Sequence, residues 1–310
     1  MEGIVIKSTG SWSTVRRNDG KKFNCKLKGQ FRIKGIKATN PISVGDKVNF
    51  DILPFEETGL ITKIFPRSNY IIRKATKLSK ISHIIASNID QAYLIVTLAE
   101  PRTSMGFIDR FLITTEAYHI PANLIFNKID IYDDELKKLH NKITNIYISA
   151  GYKCFSVSAL RGDNIEIIKK VLKGKINLFA GHSGVGKSAL INAIEPEFKI
   201  KTKDISSYHK KGKHTTAFAE MYELSFGGFI IDTPGIKEFG LLDFKKEEIA
   251  ERFPEMRKYM HGCRFNNCTH VHEPGCAVKI ALEKGLISRS RYNNYLSILN
   301  DDYFDKDNWN

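Results

Sequence analysis

The sequence predicts a multidomain α/β protein with an N-terminal β-barrel, a central doubly wound domain and a C-terminal helical part. Three patterns indicate this fold class. Short alternating apolar segments lie near the start, continuous apolar runs alternate with helical stretches in the middle, and a Cys/His cluster lies near the end. A chain of 310 residues is long enough for two or three domains. We expect the boundaries at residues 1–68, 69–244 and 245–310.

Composition and charge limit the possible partners. The net charge is +14, and the first 50 residues carry eleven Lys and Arg against three Asp and Glu. Basic residues bind phosphates with release of counterions, which favours RNA or DNA as a partner over a merely solvated basic face. No apolar run approaches the ~18 residues of a membrane span, and MEGIVIKSTG does not match a secretory signal. We therefore expect a cytoplasmic monomer without a membrane partner.

Five short segments with alternating apolar residues fill the first 66 residues and predict β-strands. They are GIVIKS, STVRR, KFNCKLKG, DKVNFDI and GLITKIF. Glycines separate the segments and supply turn signals. Five strands in a basic segment of this length fit a five-stranded β-barrel of the oligonucleotide-binding (OB) type, although an SH3-like barrel would give much the same pattern.

The central part alternates apolar runs with helical stretches, as in a buried parallel sheet with helices on both faces. Predicted strands lie at 92–99, 123–127, 155–159, 176–181 and 228–235. Predicted helices lie at 107–119, 134–151, 164–174 and 187–194. The segment 199–216 interrupts this alternation, because it has six Lys, one Asp and few apolar residues. It predicts a mobile loop within the domain.

GHSGVGKS at residues 181–188 matches the phosphate-binding pattern G-x-x-x-x-G-K-S, between a predicted strand and a predicted helix. Its glycines allow a sharp turn in which successive N–H groups face the phosphates. Lys187 is expected to contact the β and γ phosphates, and the Ser188 hydroxyl to ligate Mg²⁺. The residues expected to surround the phosphates are Gly181, His182, Ser183, Gly184, Val185, Gly186, Lys187, Ser188 and Ala189.

Two patterns downstream complete a site for a nucleoside triphosphate with Mg²⁺. Asp232 ends the apolar strand in FIIDTPG, where it could hold Mg²⁺ through water, and the Gly235 N–H could contact the γ-phosphate. Between this strand and the phosphate loop lies GKHTT, in which Thr215 or Thr216 could complete the Mg²⁺ coordination. The sequence does not choose between these two threonines.

NKID at residues 127–130 favours guanine as the base. Asp130 can accept hydrogen bonds from guanine N1–H and the N2 amino group together, and adenine has no such pair of donors. Asn127 can connect this loop to the phosphate loop, and the stem of Lys128 can cover the face of the base. The residues expected at the base are Asn127, Lys128, Ile129, Asp130, Ser158 and Ala159. The last two follow the next strand, where a backbone N–H could contact guanine O6.

The order of these patterns is a cyclic rotation of the usual one, because NKID and SA precede the phosphate loop, GKHTT and DTPG. A circular permutation preserves the site, since parallel strands bring their carboxyl ends to one edge whatever the chain order. Together the patterns resemble the circularly permuted GTPases that assist maturation of the bacterial small ribosomal subunit. The resemblance covers essentially the whole chain. It implies slow GTP hydrolysis that the small subunit stimulates, with rRNA contacts from the barrel and from a C-terminal zinc domain.

The C-terminal cluster CRFNNCTHVHEPGC holds Cys263, Cys268, His270 and Cys276. Three thiolates and one imidazole form a closed tetrahedral set for structural Zn²⁺. His261 and His272 are rivals for the fourth position, and the resemblance to the family favours His270.

The hydrolytic machinery departs from that of many GTPases, which place a Gln after the D-x-x-G glycine to orient the water. This chain has Ile236 there, a hydrophobic substitution that the resembled family shares. Gly184 replaces the Asn with which related GTPases hold a monovalent cation, which argues against assistance by such a cation. His214 is our hypothesis for the group that orients the water, the alternative being a loop histidine that faces phosphate or rRNA.

Two rival functions remain. One is a nucleotide-regulated rRNA-binding scaffold with negligible catalysis, which Ile236 would suit. The other is an ATPase that acts on nucleic acid, against which the NKID and SA patterns argue.

Overall fold

A computed structural model describes residues 1–9, 11–28, 41–53, 58–73, 83–200, 219–232 and 246–300. Five residues of the expected hydrolytic machinery lie outside these described residues, as does most of the lysine-rich segment 199–216. They are His214, Thr215, Thr216, Gly235 and Ile236.

The first five strands form a closed barrel. They are β1 (Glu2–Ser8), β2 (Ser13–Arg17), β3 (Lys22–Leu27), β4 (Lys47–Ile52) and β5 (Thr58–Ile64). Their order is β1-β2-β3-β5-β4, and β4 pairs back onto β1. The β3–β5 pair is parallel and the other barrel pairs are antiparallel. This order is that of an OB-like barrel rather than an SH3-like one, and it confirms the predicted five strands.

A short hairpin follows the barrel, with strands β6 (Tyr70–Arg73) and β7 (His83–Ser87). No local sequence pattern predicts it. Strands of four and five residues are too short to show an alternation of apolar and polar residues. Their place is set by partners that are distant in the sequence, including Val44, which bridges to Ala86.

The central sheet has the order β10-β9-β8-β11-β13-β12, in which β12 alone is antiparallel to its neighbour. Its strands are β8 (Gln91–Val96), β9 (Ala122–Phe126), β10 (Lys153–Ser156), β11 (Ile176–Ala180), β12 (Glu220–Glu223) and β13 (Phe229–Asp232). The helices are α1 (Met105–Ala117), α2 (Asp134–Ser149), α3 (Ile165–Leu172) and α4 (Lys187–Ile194). Helices α1 and α2 pack on one face, and α3 and α4 pack on the other. The doubly wound fold is therefore confirmed.

The barrel and the central sheet are continuous, because β1 pairs with β12 at Lys7 and Glu220. The Lys7 Nζ lies 3.1 Å from Glu220 Oε1. Beside it, the Arg16 guanidinium donates two hydrogen bonds to the Glu223 carboxylate and lies 5.5 Å from the centre of the Phe229 ring. Exposed ion pairs add little stability, but a bidentate pair specifies orientation. The barrel is thus fixed beside β12 and β13.

A second contact joins the barrel to the hairpin through a buried carboxylate. Asp46 is fully buried and accepts hydrogen bonds of 2.6 Å each from Arg67 Nε, Arg67 Nη2 and Ser87 Oγ. The adjacent Gly45 has a φ of +92°, and its N–H donates to the Val5 carbonyl at 2.8 Å. A Cβ at this position would lie 2.0 Å from the Ser87 carbonyl oxygen. Only glycine allows this approach.

The C-terminal part is helical and packs against α1. Its helices are α5 (Lys246–Ile249), α6 (Pro254–Met260), α7 (Ala277–Glu283) and α8 (Arg289–Leu299). Ile113 of α1 belongs to the same apolar core as Phe253, Met256 and Tyr295. Across the described ranges, no helix is both long enough and apolar enough to cross a membrane.

Gly45→Ala is expected to destabilise the junction between the barrel and the hairpin. The change combines a positive φ with a steric overlap against the Ser87 backbone. Gly20→Ala is the matched control, because Gly20 has a φ of +88° but its Cβ would meet only Arg16 Nη2, at 3.9 Å. The control should cost about 1–2 kcal/mol for the backbone alone. Gly45→Ala should cost at least about 2 kcal/mol more in denaturant unfolding. Equal losses in the two variants would contradict this account.

Candidate functional site

The expected nucleotide residues collect at one edge of the central sheet. Strands β8, β9, β10, β11 and β13 are parallel, so their carboxyl ends share that edge. The registers place Ser156 beside Phe126, and Asp232 beside Phe179. The loops that follow these strands therefore meet although they are far apart in the sequence.

The phosphate loop (residues 181–189) passes from β11 to α4 in a conformation that requires glycine. Gly184 and Gly186 have φ values of +87° and +85°. A Cβ on Gly186 would lie 2.5 Å from Asn127 Nδ2, and one on Gly184 would lie 3.2 Å from Pro101 Cδ. Ser183 and Gly184 are exposed at the top of the loop. Backbone N–H groups at such a turn, together with a helix N-terminus, form a site for an anion.

Lys187 and Asp232 form an ion pair at the centre of this edge. Lys187 Nζ lies 2.9 Å from Asp232 Oδ1, and the two side chains are 10% and 17% exposed. Both groups expected to act on phosphate and on Mg²⁺ are therefore within reach of one ligand. Ser188 follows Lys187 in the first turn of α4 and is partly buried. A lysine, a carboxylate and a hydroxyl in this setting fit the donor set of a phosphate–Mg²⁺ site.

The NKID loop is joined to the phosphate loop and to the loop after β10 through Asn127. This side chain is 1% exposed. Its Nδ2 donates to the Val185 carbonyl at 2.9 Å, and its Oδ1 accepts from the Ala159 N–H at 3.1 Å. The amide thus fixes the spacing between the expected base and phosphate contacts.

Asp130 is oriented by a neighbour on the next loop. Ser158 Oγ donates to Asp130 Oδ1 at 2.5 Å, and the Arg161 N–H donates to Ser158 Oγ at 3.0 Å. Among the described residues, none makes a hydrogen bond to Asp130 Oδ2. That oxygen can therefore accept from a base. Ile129 begins the short 3₁₀ turn that carries Asp130, and its N–H donates to the Val157 carbonyl at 3.3 Å.

The loop after β8 also belongs to this edge, although no sequence motif predicts it. Lys128 has a φ of +64°, and its ammonium group donates to the Glu100 carbonyl. The next residue, Pro101, lies against Gly184 of the phosphate loop. This loop carries no recognisable motif. Its position after a parallel strand was the one available signal, because every such loop reaches the same edge.

The four expected metal ligands lie together, with their ligand atoms all within 4.8 Å of one another. Cys263 Sγ is 3.9 Å from Cys276 Sγ, and His270 Nδ1 is 3.6 and 3.4 Å from these two sulfurs. A tetrahedral Zn²⁺ with bonds of about 2.3 Å to sulfur and about 2.0 Å to nitrogen sets a sulfur–sulfur distance of about 3.8 Å and a sulfur–nitrogen distance of about 3.5 Å. The donor set and its spacing therefore fit Zn²⁺. Burial raises the pKa of the Cys268 thiol to about 12, so a cation would be needed to hold it as a thiolate.

The backbone around His270 explains why this histidine, rather than its rivals, faces the thiols. His270 is buried with a φ of +61°, whereas His261 and His272 are exposed. Tyr292 donates its hydroxyl to the His270 carbonyl at 2.6 Å. Glu273 accepts hydrogen bonds from three backbone N–H groups and one hydroxyl in this segment. Partial burial opposes its ionisation, but these bonds lower the pKa of Glu273 to about 2.

Known proteins match this chain over almost its whole length. Residues 64–242 match the profile of the RsgA GTPase family, and residues 2–61 match the RsgA N-terminal domain. "Small ribosomal subunit biogenesis GTPase RsgA 2" of Bacteroides thetaiotaomicron is 54% identical over 301 residues, 97% of each chain. The relative from Flavobacterium psychrophilum, with the same RsgA description, is 55% identical over 97% of this chain and 93% of its own.

Two solved structures are similar in fold. YjeQ from Thermotoga maritima has a TM-score of 0.78 and 35% identity, and the match covers 98% of this chain and 99% of that one. YloQ, described as a circularly permuted GTPase, has a TM-score of 0.75 and 29% identity, with 99% and 96% coverage. The predicted permutation of the central domain is thereby confirmed.

His270→Ala is expected to weaken Zn²⁺ binding by at least about 100-fold, since it removes a direct ligand. The loss is measured by metal content after dialysis and by competition with a chromophoric chelator. His272→Ala is the matched control, because His272 is exposed two residues away. It should retain one Zn²⁺ per chain. Loss of the metal from the His272 variant alone would exclude His270 as the ligand.

Proposed function

The chain belongs to the RsgA GTPase family, and from that premise we propose that it hydrolyses GTP to GDP and phosphate on the small ribosomal subunit and assists late maturation of that subunit. The observation that carries the proposal is the buried Asn127 amide, which holds a guanine-type loop at fixed spacing from a phosphate loop. The names of the relatives support the ribosomal partner. A scaffold without catalysis is not favoured, because these relatives are GTPases by name.

We propose the following roles for the residues at the nucleotide. Asp130 accepts hydrogen bonds from guanine N1–H and N2–H₂, while the backbone at Ser158 and Ala159 faces guanine O6. Lys187 contacts the β and γ phosphates, and the loop N–H groups surround them. Ser188 ligates Mg²⁺ directly and Asp232 holds it through water, and the bound cation would neutralise charge on the phosphates. The roles of Thr215 or Thr216, Gly235 and His214 are proposed from the sequence alone.

Hydrolysis requires a water in line with the leaving oxygen and neutralisation of charge in the transition state. Lys187 supplies a positive charge at the phosphates. Ile236 cannot orient a water, so the isolated chain should turn over slowly. We propose that the small subunit completes the site by positioning the residues that face the γ-phosphate, with His214 as the group that orients the water.

The barrel and the C-terminal part offer features suited to rRNA. Trp12 is 41% exposed with Lys26 Nζ 4.6 Å from its ring centre, and Phe265 is 41% exposed beside the Arg264 guanidinium. Cationic groups next to exposed aromatic rings bind the phosphates and stack on the bases of unpaired RNA. We propose that residues 1–68 and 245–310 contact rRNA around the GTPase domain of residues 69–244, in the cytoplasm and as a monomer.

Asp130→Asn is expected to change base specificity. The substituted amide loses the acceptor for two guanine donors, while it can donate to the carbonyl that xanthine carries at C2. GTP affinity should fall by at least about 100-fold, and XTP should become the better ligand. Asp133→Asn is the control, because Asp133 caps α2 by accepting from the Leu136 N–H at 2.8 Å. It should keep the preference for GTP in a competition assay. An unchanged preference in the Asp130 variant would remove this residue from the site.

Turnover should rise with added small subunits and should not rise with large subunits. The increase is expected to reach at least about tenfold, because the subunit supplies groups that stabilise only the transition state. Lys187→Ala should abolish turnover under both conditions, whereas Lys170→Ala, an exposed lysine on α3, should match the unsubstituted protein. Equal stimulation by both subunits would contradict the proposed partner, and retained turnover in Lys187→Ala would contradict the phosphate-loop assignment.

A further inference from the structure

Helix α1 contacts the phosphate loop at its first turn and the C-terminal helices along the rest of its length. It begins at Met105, after Ser104 accepts the Phe107 N–H in its N-cap. The next turn carries Asp109, and the last turn carries Glu116. Phe107 contacts the phosphate loop, whereas Asp109 and Glu116 contact the C-terminal helices.

The contact with the phosphate loop is an aromatic stack. The His182 imidazole lies over the Phe107 ring, with 3.7 Å between ring centres and 31° between ring planes. Phe107 is 4% exposed, while His182 is partly buried. Its neighbours Ser183 and Gly184 are exposed. His182 therefore anchors the phosphate loop to α1 on the side opposite the exposed residues Ser183 and Gly184.

The contact with the C-terminal part is a buried network of charges. Asp109 is fully buried and accepts from Arg291 Nη1 at 2.7 Å, from Tyr147 Oη at 2.9 Å and from the Asn294 amide. Arg291 is 1% exposed and also donates to both carboxylate oxygens of Glu255, at 2.6 and 2.9 Å. A buried carboxylate stripped of such partners is strongly destabilised, so α8 and α6 hold α1 in one position.

A further ion pair holds the end of α1. Arg257 Nη1 of α6 donates to Glu116 Oε2 at 3.1 Å. The C-terminal helices thus contact α1 at two levels, at Asp109 and at Glu116. Phe107 precedes Asp109 by two residues, about 3 Å along the helix axis. A shift or tilt of α1 against the C-terminal part must therefore move the Phe107 ring.

We propose that Phe107 and His182 are positioning residues of the GTPase site, and that α1 transmits the placement of the C-terminal zinc-binding part to the phosphate loop. The inference rests on the proposed nucleotide role of that loop. Asn127 holds the loop at Val185, and the glycines at 184 and 186 leave the backbone around that bond compliant. A second anchor at 182 therefore decides where the N–H groups before Val185 point. The free energy of an aromatic pair is large enough to hold the His182 side chain in one position.

The first experiment separates stacking from other roles of the imidazole. His182→Ala should weaken binding of a fluorescent GDP analogue and lower kcat, each by about three- to tenfold. His182→Phe keeps a ring over Phe107 and should recover most of the affinity and kcat that His182→Ala loses. If His182→Phe behaves like His182→Ala, a polar function of the imidazole explains the loss and the proposal is overturned.

Phe107→Leu tests the other side of the stack, with Phe111→Leu as its control. Phe111 lies on the same helix, is fully buried and belongs to the apolar core between α1 and the sheet. Its substitution should therefore destabilise α1 without removing the stack between Phe107 and His182. Phe107→Leu should reduce nucleotide affinity about as much as His182→Ala does, and the Phe111 variant should not. Equal losses of nucleotide affinity in the two variants would show that a less stable α1 explains the loss. That result would overturn the positioning role.

The second experiment tests transmission from the C-terminal part. Asn294→Ala removes one hydrogen bond from Asp109 and leaves Arg291 in place. It should lower GDP-analogue affinity and basal kcat by about two- to fivefold. The effect should disappear when His182 is already alanine, because the connection has been cut. Asn293→Ala, an exposed neighbour on α8, should have no effect in either background. Multiplicative effects of His182→Ala and Asn294→Ala would show that the two sites are independent.

These assays use the isolated full chain, so their outcome does not depend on the ribosomal partner. An unsubstituted protein that fails to bind or hydrolyse guanine nucleotides would refute the proposed function itself. An unsubstituted protein that binds and hydrolyses GTP, with unaffected His182 and Phe107 variants, would refute this inference alone.

Discussion

The proposed nucleotide site depends on one buried amide. Asn127 donates to a carbonyl 58 residues away and accepts from an N–H 32 residues away, so a single side chain joins three loops. Leaving a buried amide without one of these partners would cost about 1–3 kcal/mol. The glycine at 186 follows from the same constraint, because any side chain there would occupy the position of the amide. The distance between base and phosphate contacts is therefore set by hydrogen-bond geometry and not by chain order.

This independence from chain order is what makes the permuted arrangement possible. The sheet order places β9 and β10 at one end, β11 and β13 in the middle and β12 next to the barrel. The guanine-type loops thus lie far from the barrel, and the strand ending in Asp232 is separated from it by β12 alone. The basic barrel consequently stands on the phosphate side of the site.

Much of this architecture could be predicted from the sequence. Apolar runs marked the parallel strands, and the rotated motif order identified the family that the comparisons confirm. The hairpin after the barrel and the β1–β12 pairing escaped, because both depend on partners that are distant in the sequence and leave no local periodicity. The loop with Glu100 and Pro101 escaped for a different reason. Its role comes from contacts with Lys128 and Gly184, and its own residues are chemically ordinary.

The Lys187–Asp232 ion pair bears on how the proposed nucleotide site would take up its ligands. Each charge is mostly buried and neutralises the other at 2.9 Å. If a phosphate took Lys187 alone, Asp232 would be left as an unpaired carboxylate beside further negative charge, which is costly in a poorly solvated site. If a divalent cation arrived together with the phosphates, each charge would exchange one partner for another. With the roles proposed for Lys187 and Asp232, the pair would favour entry of the triphosphate together with its Mg²⁺ over either ligand alone, and would link the affinity for one to the presence of the other.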